Sequence, residues 1–224
     1  MSKKLADYLT RMGVVLQDEA NHLSAAERTG FIQEALRSYS QLRPVLKVAK
    51  VEGDGGYTYD LPTDWEDGFS SVMHVEHPIE QQIPVYLSPE RYFLYRDNTG
   101  LHLRFFTKTI AADDHFLLAY TIRHSADTDG STPSDADFDA ICNLAGGLAC
   151  HALSRLYSQG IPSSMEVDVA HTWRQAIHYQ AKGDKMLELY ETHMAGGFPR
   201  VPAQAVRSLR VIPNWWPGRF GVRG

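Results

Sequence analysis

The sequence is short of the residues that usually announce chemistry. It holds two cysteines, Cys142 and Cys150. They stand eight residues apart in one expected helix, about 12 Å at ~1.5 Å rise per residue, which is too far to bridge. Two buried thiols in a reducing compartment is the simple reading. Cys-x-x-Cys, His-Glu-x-x-His and Gly-x-Ser-x-Gly do not occur, so the local signatures of zinc sites and of an esterase nucleophile are missing. Gly53-Asp54-Gly55-Gly56 lacks the lysine and following helix of a phosphate loop, and its aspartate would repel phosphate. No apolar run approaches ~18 residues, so nothing is expected to span a membrane. Residues 1–16 carry Lys3, Lys4, Asp7 and Arg11 in place of the apolar stretch of a secretion signal. The chain is therefore expected in the cytoplasm, or in a particle assembled there. A net charge of −5 makes no general case for nucleic-acid binding.

What is present is an ordinary globular composition, 43% hydrophobic and 22% charged over 224 residues. That is enough chain for one domain, or one domain carrying an insertion, with a core that needs no staples. Leu5, Tyr8 and Leu9 predict a helix over residues 3–12, stopped by Gly13. Ser24 and Glu27 form a capping box ahead of the stripe Phe31, Ile32, Ala35, Leu36, Tyr39 and Leu42, which Pro44 ends. The texture then changes. Residues 46–51 and 57–61 flank Gly53 to Gly56 as a hairpin, and strands are expected over 71–75, 83–87, 92–95, 101–107 and 116–124. Helices return at Pro133, with Ser134 as cap and Asp135 and Asp137 complementing the dipole. Phe138 to Leu156 carries a broad apolar face whose Gly146, Gly147, Ala149 and Ala152 would let a neighbour come close. A long helix is expected over 167–194, with Gly183 as a bend, stopped by Ala195-Gly196-Gly197.

The final stretch from Phe198 differs. It contains Pro199, Pro202, Pro213 and Pro217, the aromatics Trp215, Trp216 and Phe220, and the arginines 200, 207, 210, 219 and 223, with no acid. Removing those five charges from a total of −5 leaves the rest of the chain at −10. Such a segment has no core of its own, and adjacent tryptophans beside arginines are typical binding anchors. The plain alternative is that Trp215 and Trp216 fold back on their own subunit.

Three features together make the chain resemble the head-to-tail connector, or adaptor, proteins of tailed bacteriophages. They are the capped helix from Leu23-Ser24-Ala25-Ala26-Glu27 into Glu34 to Ser40, the strand and turn Tyr57-Thr58-Tyr59-Asp60-Leu61-Pro62-Thr63-Asp64-Trp65, and the helix pair from Pro133 ending in an extended tail. The similarity runs over most of residues 5–194 in order and texture. The large β section departs from the smaller members, which are little more than a helical bundle; larger adaptors are similar in carrying such an insertion.

The resemblance implies an α+β chain: a helical bundle from 1–45 and 133–197, an inserted β module over 46–132, and an extended C-terminal arm over 198–224. It implies a virion protein of the neck, a homo-oligomeric ring, commonly a dodecamer, beneath the portal protein. The ring continues the DNA channel without gripping the genome, meets the next neck or tail protein, and embraces the portal with its arm. Arg207, Arg210, Trp215, Trp216, Arg219 and Phe220 are the expected partner-binding residues. No enzyme activity, cofactor, metal or membrane contact is expected. An acidic body suits a channel wall, since a basic lumen would hold phosphates; the alternative role for the arm's arginines is nucleic-acid binding.

Two rivals remain beside the adaptor. One is another neck or tail-completion ring placed further from the portal. The other is a soluble enzyme with a site in the β module near His74, Glu76 and His115. His74 and Glu76 share a strand face while His77 points away, so the cluster lacks a third ligand. His171 and His178 are too far apart along one helix to share a metal unaided. Asp127-Thr128-Asp129-Gly130 resembles a fragment of a calcium loop without its remaining ligands, and reads as a polar loop. Asp113-Asp114-His115 reads as a turn, and Asp64, Glu66 and Asp67 beside Trp65 as a short exposed turn of helix.

Overall fold

A computed structural model describes residues 3–17, 22–106, 109–159 and 166–196, with side chains from 170 onward in the last of these. The chain is α+β. Four helices, α1 (Leu5–Leu16), α2 (Ala25–Leu42), α3 (Phe138–Gln159) and α4 (Glu166–Gly196), bracket six strands. These are β1 (Val45–Glu52), β2 (Thr58–Asp60), β3 (Val72–Glu76), β4 (Tyr92–Arg96), β5 (Leu101–Phe105) and β6 (His115–Ile122).

The capping box at Ser24 forms as expected, with each partner's side chain on the other's amide. α1 does not stop at Gly13. Its apolar stripe continues through Met12, Val15 and Leu16 onto the core, and burying those side chains outweighs the ~1 kcal/mol that glycine costs in a helix. The helix ends instead at Gln17, which turns left-handed, and Lys182 of α4 reaches the terminal carbonyl of Leu16 at 3.2 Å. α3 is the central rod, buried at Ala140, Ile141, Cys142, Leu144, Ala145, Gly146, Gly147, Ala149, Cys150 and Leu153. It packs on α1, α2 and, most extensively, α4.

The small residues make the α3–α4 contact what it is. A Cβ on Gly147 would sit 2.9 Å from Leu187 and 3.2 Å from the carbonyl of Gly183. One on Gly183 would sit 3.0 Å from His151 and 3.1 Å from the carbonyl of Gly147. Gly183 is thus where the two backbones touch, and α4 runs through it as helix.

The strands form two three-stranded antiparallel sheets, ordered β1-β6-β3 and β2-β5-β4. They share a core of Tyr59, Val75, Leu87, Leu103, Phe105, Ile110, Phe116, Leu118 and Tyr120. Phe105, Tyr59 and Phe116 meet edge to face there.

The expected hairpin across Gly53 to Gly56 is not one. β1 pairs with β6 and β2 with β5, so the glycines carry the chain from one sheet to the other. They pass under residues 110–114: Gly53 N donates to Asp114 O at 2.9 Å and Gly55 N to Ile110 O at 2.8 Å. A Cβ on Gly53 would lie 2.3 Å from the Ala111 carbonyl, and Gly55 has φ +78°. The glycines answer a close crossing, not a two-strand turn.

The strand expected over 83–87 is also absent. Pro84 withholds an amide from the ladder, and the segment's backbone pairs beside β3 through the Glu76–Tyr86 bridge and the bonds His77 N to Val85 O and Leu87 N to Val75 O. The expected helical turn at Asp64, Glu66 and Asp67 is a looser set of turns in which each carboxylate holds a partner on a different strand or its flank: Lys47 and Tyr120, Arg123, and Arg96.

Helices and sheets join at one seam. Ser40 donates to Leu36 O and accepts from the His124 amide. The His124 ring packs on Tyr39 with centroids 4.8 Å apart and donates from Nε2 to Arg43 O at 2.8 Å. Burial lowers the His124 pKa, which keeps the ring neutral at this contact.

Candidate interaction surfaces

Arg207, Arg210, Trp215, Trp216, Arg219 and Phe220 lie outside the described residues. What the structure does describe is the place from which that segment leaves. α4 ends at Gly196, and one turn earlier His193 is tied to a buried carboxylate.

That carboxylate is Asp137, in a 3-10 turn (Asp135–Asp137) that leads into α3. Oδ1 accepts from Arg43 Nη1 and from His193 Nε2, each at 2.8 Å. Oδ2 accepts from Tyr39 at 2.8 Å and from Ser134 at 2.7 Å. Ser134 therefore spends its hydroxyl on this carboxylate, not on a helix amide as a cap would. Burial alone would raise the Asp137 pKa, but the hydrogen bonds and the Arg43 charge outweigh it and lower it to about 2. Burial and the adjacent carboxylate push the Tyr39 phenol up. The cluster pins α2, α3 and α4 together beside the seam. In the sequence Asp137 looks like one more acid in a first helical turn; the aspartate is singled out only by partners that arrive from distant positions.

The outer face of the β2-β5-β4 sheet is aromatic. Phe93 and Phe106 stack with centroids 4.5 Å apart, and Arg104 lies over Tyr95 at 5.2 Å. Tyr57, Phe93, Arg104, Phe105 and Phe106 line an open groove of about 280 Å³. Phe93 was visible in the sequence only as part of a strand. The signal that marks it is aromatic residues at both parities in Tyr92-Phe93-Leu94-Tyr95, which one buried face cannot absorb. Further along the same face His102 bridges Asp60 at 2.9 Å and Asp97 at 3.2 Å. The Thr99 hydroxyl and amide, outweighing slight burial, pull Asp97 down to about 2.

Apolar side chains are also exposed on the helices, with Trp173 and Ile177 one turn apart on α4 and Leu156 on α3.

His74, Glu76 and His115 share the outward face of the β1-β6-β3 sheet, yet each histidine has its own partner. His74 meets Tyr86 edge-on at 4.6 Å, and burial lowers its pKa. His115 faces Glu52 across the strands at 3.6 Å. His77, read as pointing away from His74, is buried and bonded to Asp114 at 2.9 Å. Among the described residues no three His, Cys, Asp or Glu side chains gather as a metal site. Asp127 folds its loop by accepting the amides of Asp129 and Gly130, the polar loop that its sequence suggests. Cys142 and Cys150 are both buried and unbridged; burial pushes their thiols up to about 12 and about 11. Among the described residues no helix is long and apolar enough to cross a membrane.

No family model matches this chain, and no curated protein matches it. Among solved structures it is similar to one described as the neck of a native GTA particle, computed with C12 symmetry. That match has 14% identity and a TM-score of 0.27, and covers 75% of this chain and 89% of the other.

Proposed function

We propose that the chain is a structural virion protein, the head-to-tail adaptor ring that links the portal to the tail and continues the DNA channel. In this reading residues 1–45 and 133–197 form the bundle, 46–132 the inserted β module and 198–224 the portal-embracing arm. Arg207, Arg210, Trp215, Trp216, Arg219 and Phe220 are its anchors. The carrying observation is the contrast within one chain. A body of net charge −10 leads into an acid-free segment with adjacent tryptophans, and the helix before it is pinned to the bundle through His193 and Asp137. The exposed apolar groups on the body suit a part that works through several protein contacts. The order of a capped helix, a β section and a long helix pair also supports it, because it is the order of the connector proteins the sequence resembles.

Genes for portal, terminase and capsid beside this one are expected. Mixing the purified protein with portal rings and imaging the product tests the reading directly: a ring of this chain seated under the portal is the expected result. A chain that ignores portal but binds the next neck component would move it further along the neck. Truncation before Phe198 should leave the bundle folded and abolish portal attachment; a truncated protein that still binds portal refutes the arm's role.

A further inference from the structure

Among the described residues, two exposed surfaces of opposite character lie on the β region of the same chain. One is the tongue of residues 78–86 between β3 and β4. Glu80 turns its backbone left-handed with φ +61°, and Ile83 stands 78% exposed, with Val85 and Tyr86 also exposed. The other is the groove of Tyr57, Phe93, Arg104 and Phe106, about 280 Å³, where Phe106 is 58% exposed. Among the described residues both are open in the same molecule, so the tongue does not fill the groove of its own copy.

We propose that the Ile83 tongue of one copy seats in the Phe93–Phe106 groove of a second copy. This contact rests on the ring reading above and supplies an interface for it. Charge favours this occupant. The tongue carries the carboxylate of Glu80 and no lysine or arginine, while the groove carries Arg104 and no carboxylate. Chemistry favours it too, because Ile83, Pro84 and Val85 form an apolar run with Ile83 and Val85 exposed, and the groove walls are aromatic. The groove volume is several times the ~30 Å³ share of a water molecule, which is room for aliphatic side chains. The two patches differ, so each copy offers one half to each neighbour. Such head-to-tail contacts close into rings where the rotation permits.

The test uses the full chain with single cysteines introduced on each half, Ile83→Cys and Phe106→Cys. The native Cys142 and Cys150 are buried and give little background. Under mild oxidation, equimolar I83C and F106C should yield a disulfide-linked dimer at least tenfold above either variant alone, free in solution or assembled on portal rings. In light scattering, Ile83→Asp and Phe106→Asp should each abolish self-association. Mixed together they should stop at a species of two subunits, because one intact tongue meets one intact groove. Both positions are exposed, and unchanged circular dichroism will confirm the fold of the variants. Rings that form normally in both variants, with no mixed disulfide, overturn the contact and leave the ring reading standing. A chain that assembles neither alone nor on portal overturns both.

Discussion

Replacing Asp137 by Asn leaves the shape of the seam and removes its one buried charge. The Asp137 side chain is 8% exposed, against 19% for Arg43 and 40% for His193. Its pKa lies at about 2, against 3.8 for an ordinary aspartate. At ~1.4 kcal/mol per unit this amounts to about 2.5 kcal/mol of stability at neutral pH. The exposure of His193 screens part of it, so about 2 kcal/mol is expected. Because the folded pKa is depressed, that stability is fully present above about pH 4 and is lost as pH falls toward 2. Urea titrations of both proteins at several pH values check this. Asp137→Asn should lower the unfolding free energy by about 2 kcal/mol at pH 7, equivalent to roughly 4–8 °C in Tm for a chain of this size. The difference should shrink as pH falls through 2 and close below it, as the native aspartate becomes neutral. Other carboxylates titrate in both proteins and cancel in the difference. A gap that persists unchanged on acidification, or one below about 0.5 kcal/mol at pH 7, would refute the idea that the charge of Asp137 holds the three helices.

Gly183→Ala should lower stability by about 1–2 kcal/mol, seen as a reduced melting temperature, because a Cβ 3.1 Å from the Gly147 carbonyl forces two backbones apart and outweighs the gain in helix propensity; an unchanged or raised Tm would mean the helices can separate freely. Ser24→Ala should cost about 1 kcal/mol in chemical denaturation through loss of the cap on the Glu27 amide. Cys142 and Cys150 should resist a thiol-specific disulfide reagent in the native protein at pH 8 and react fully in denaturant; rapid native labelling would contradict their burial.

Much of this architecture was legible in the residues alone, and the parts that were share a property. The start of α2 is announced by Ser24 and Glu27, three positions apart. The long apolar runs of α3 and β6 and the alternation in β5 are likewise read within a few residues. Gly146 and Gly147 mark a close helix approach in the sequence, and in the fold Gly147 meets Gly183 while Gly146 faces Met186 and Val15. Where local reading failed, a distant partner had decided the outcome. Gly13 is carried inside α1 because Val15 and Leu16 find a core. Gly53 and Gly55 cross between sheets because residues 110–114 lie against them. The segment 83–87 is the local exception, since its own Pro84 withholds an amide from the β3 ladder.

The candidate surfaces divide the same way. Composition alone set apart the cationic, tryptophan-bearing segment from the acidic body, since charge and aromatic content need no coordinates. That Asp137 is a buried hub, that Phe93 stacks on Phe106 and that Ile83 stands unburied were decided only by tertiary structure. Tyr39 and Asp137 are 98 positions apart in the chain and 2.8 Å apart in the fold. Propensity and capping act over a single turn of helix, whereas burial, strand pairing and charge compensation depend on which distant segments the packed core brings together.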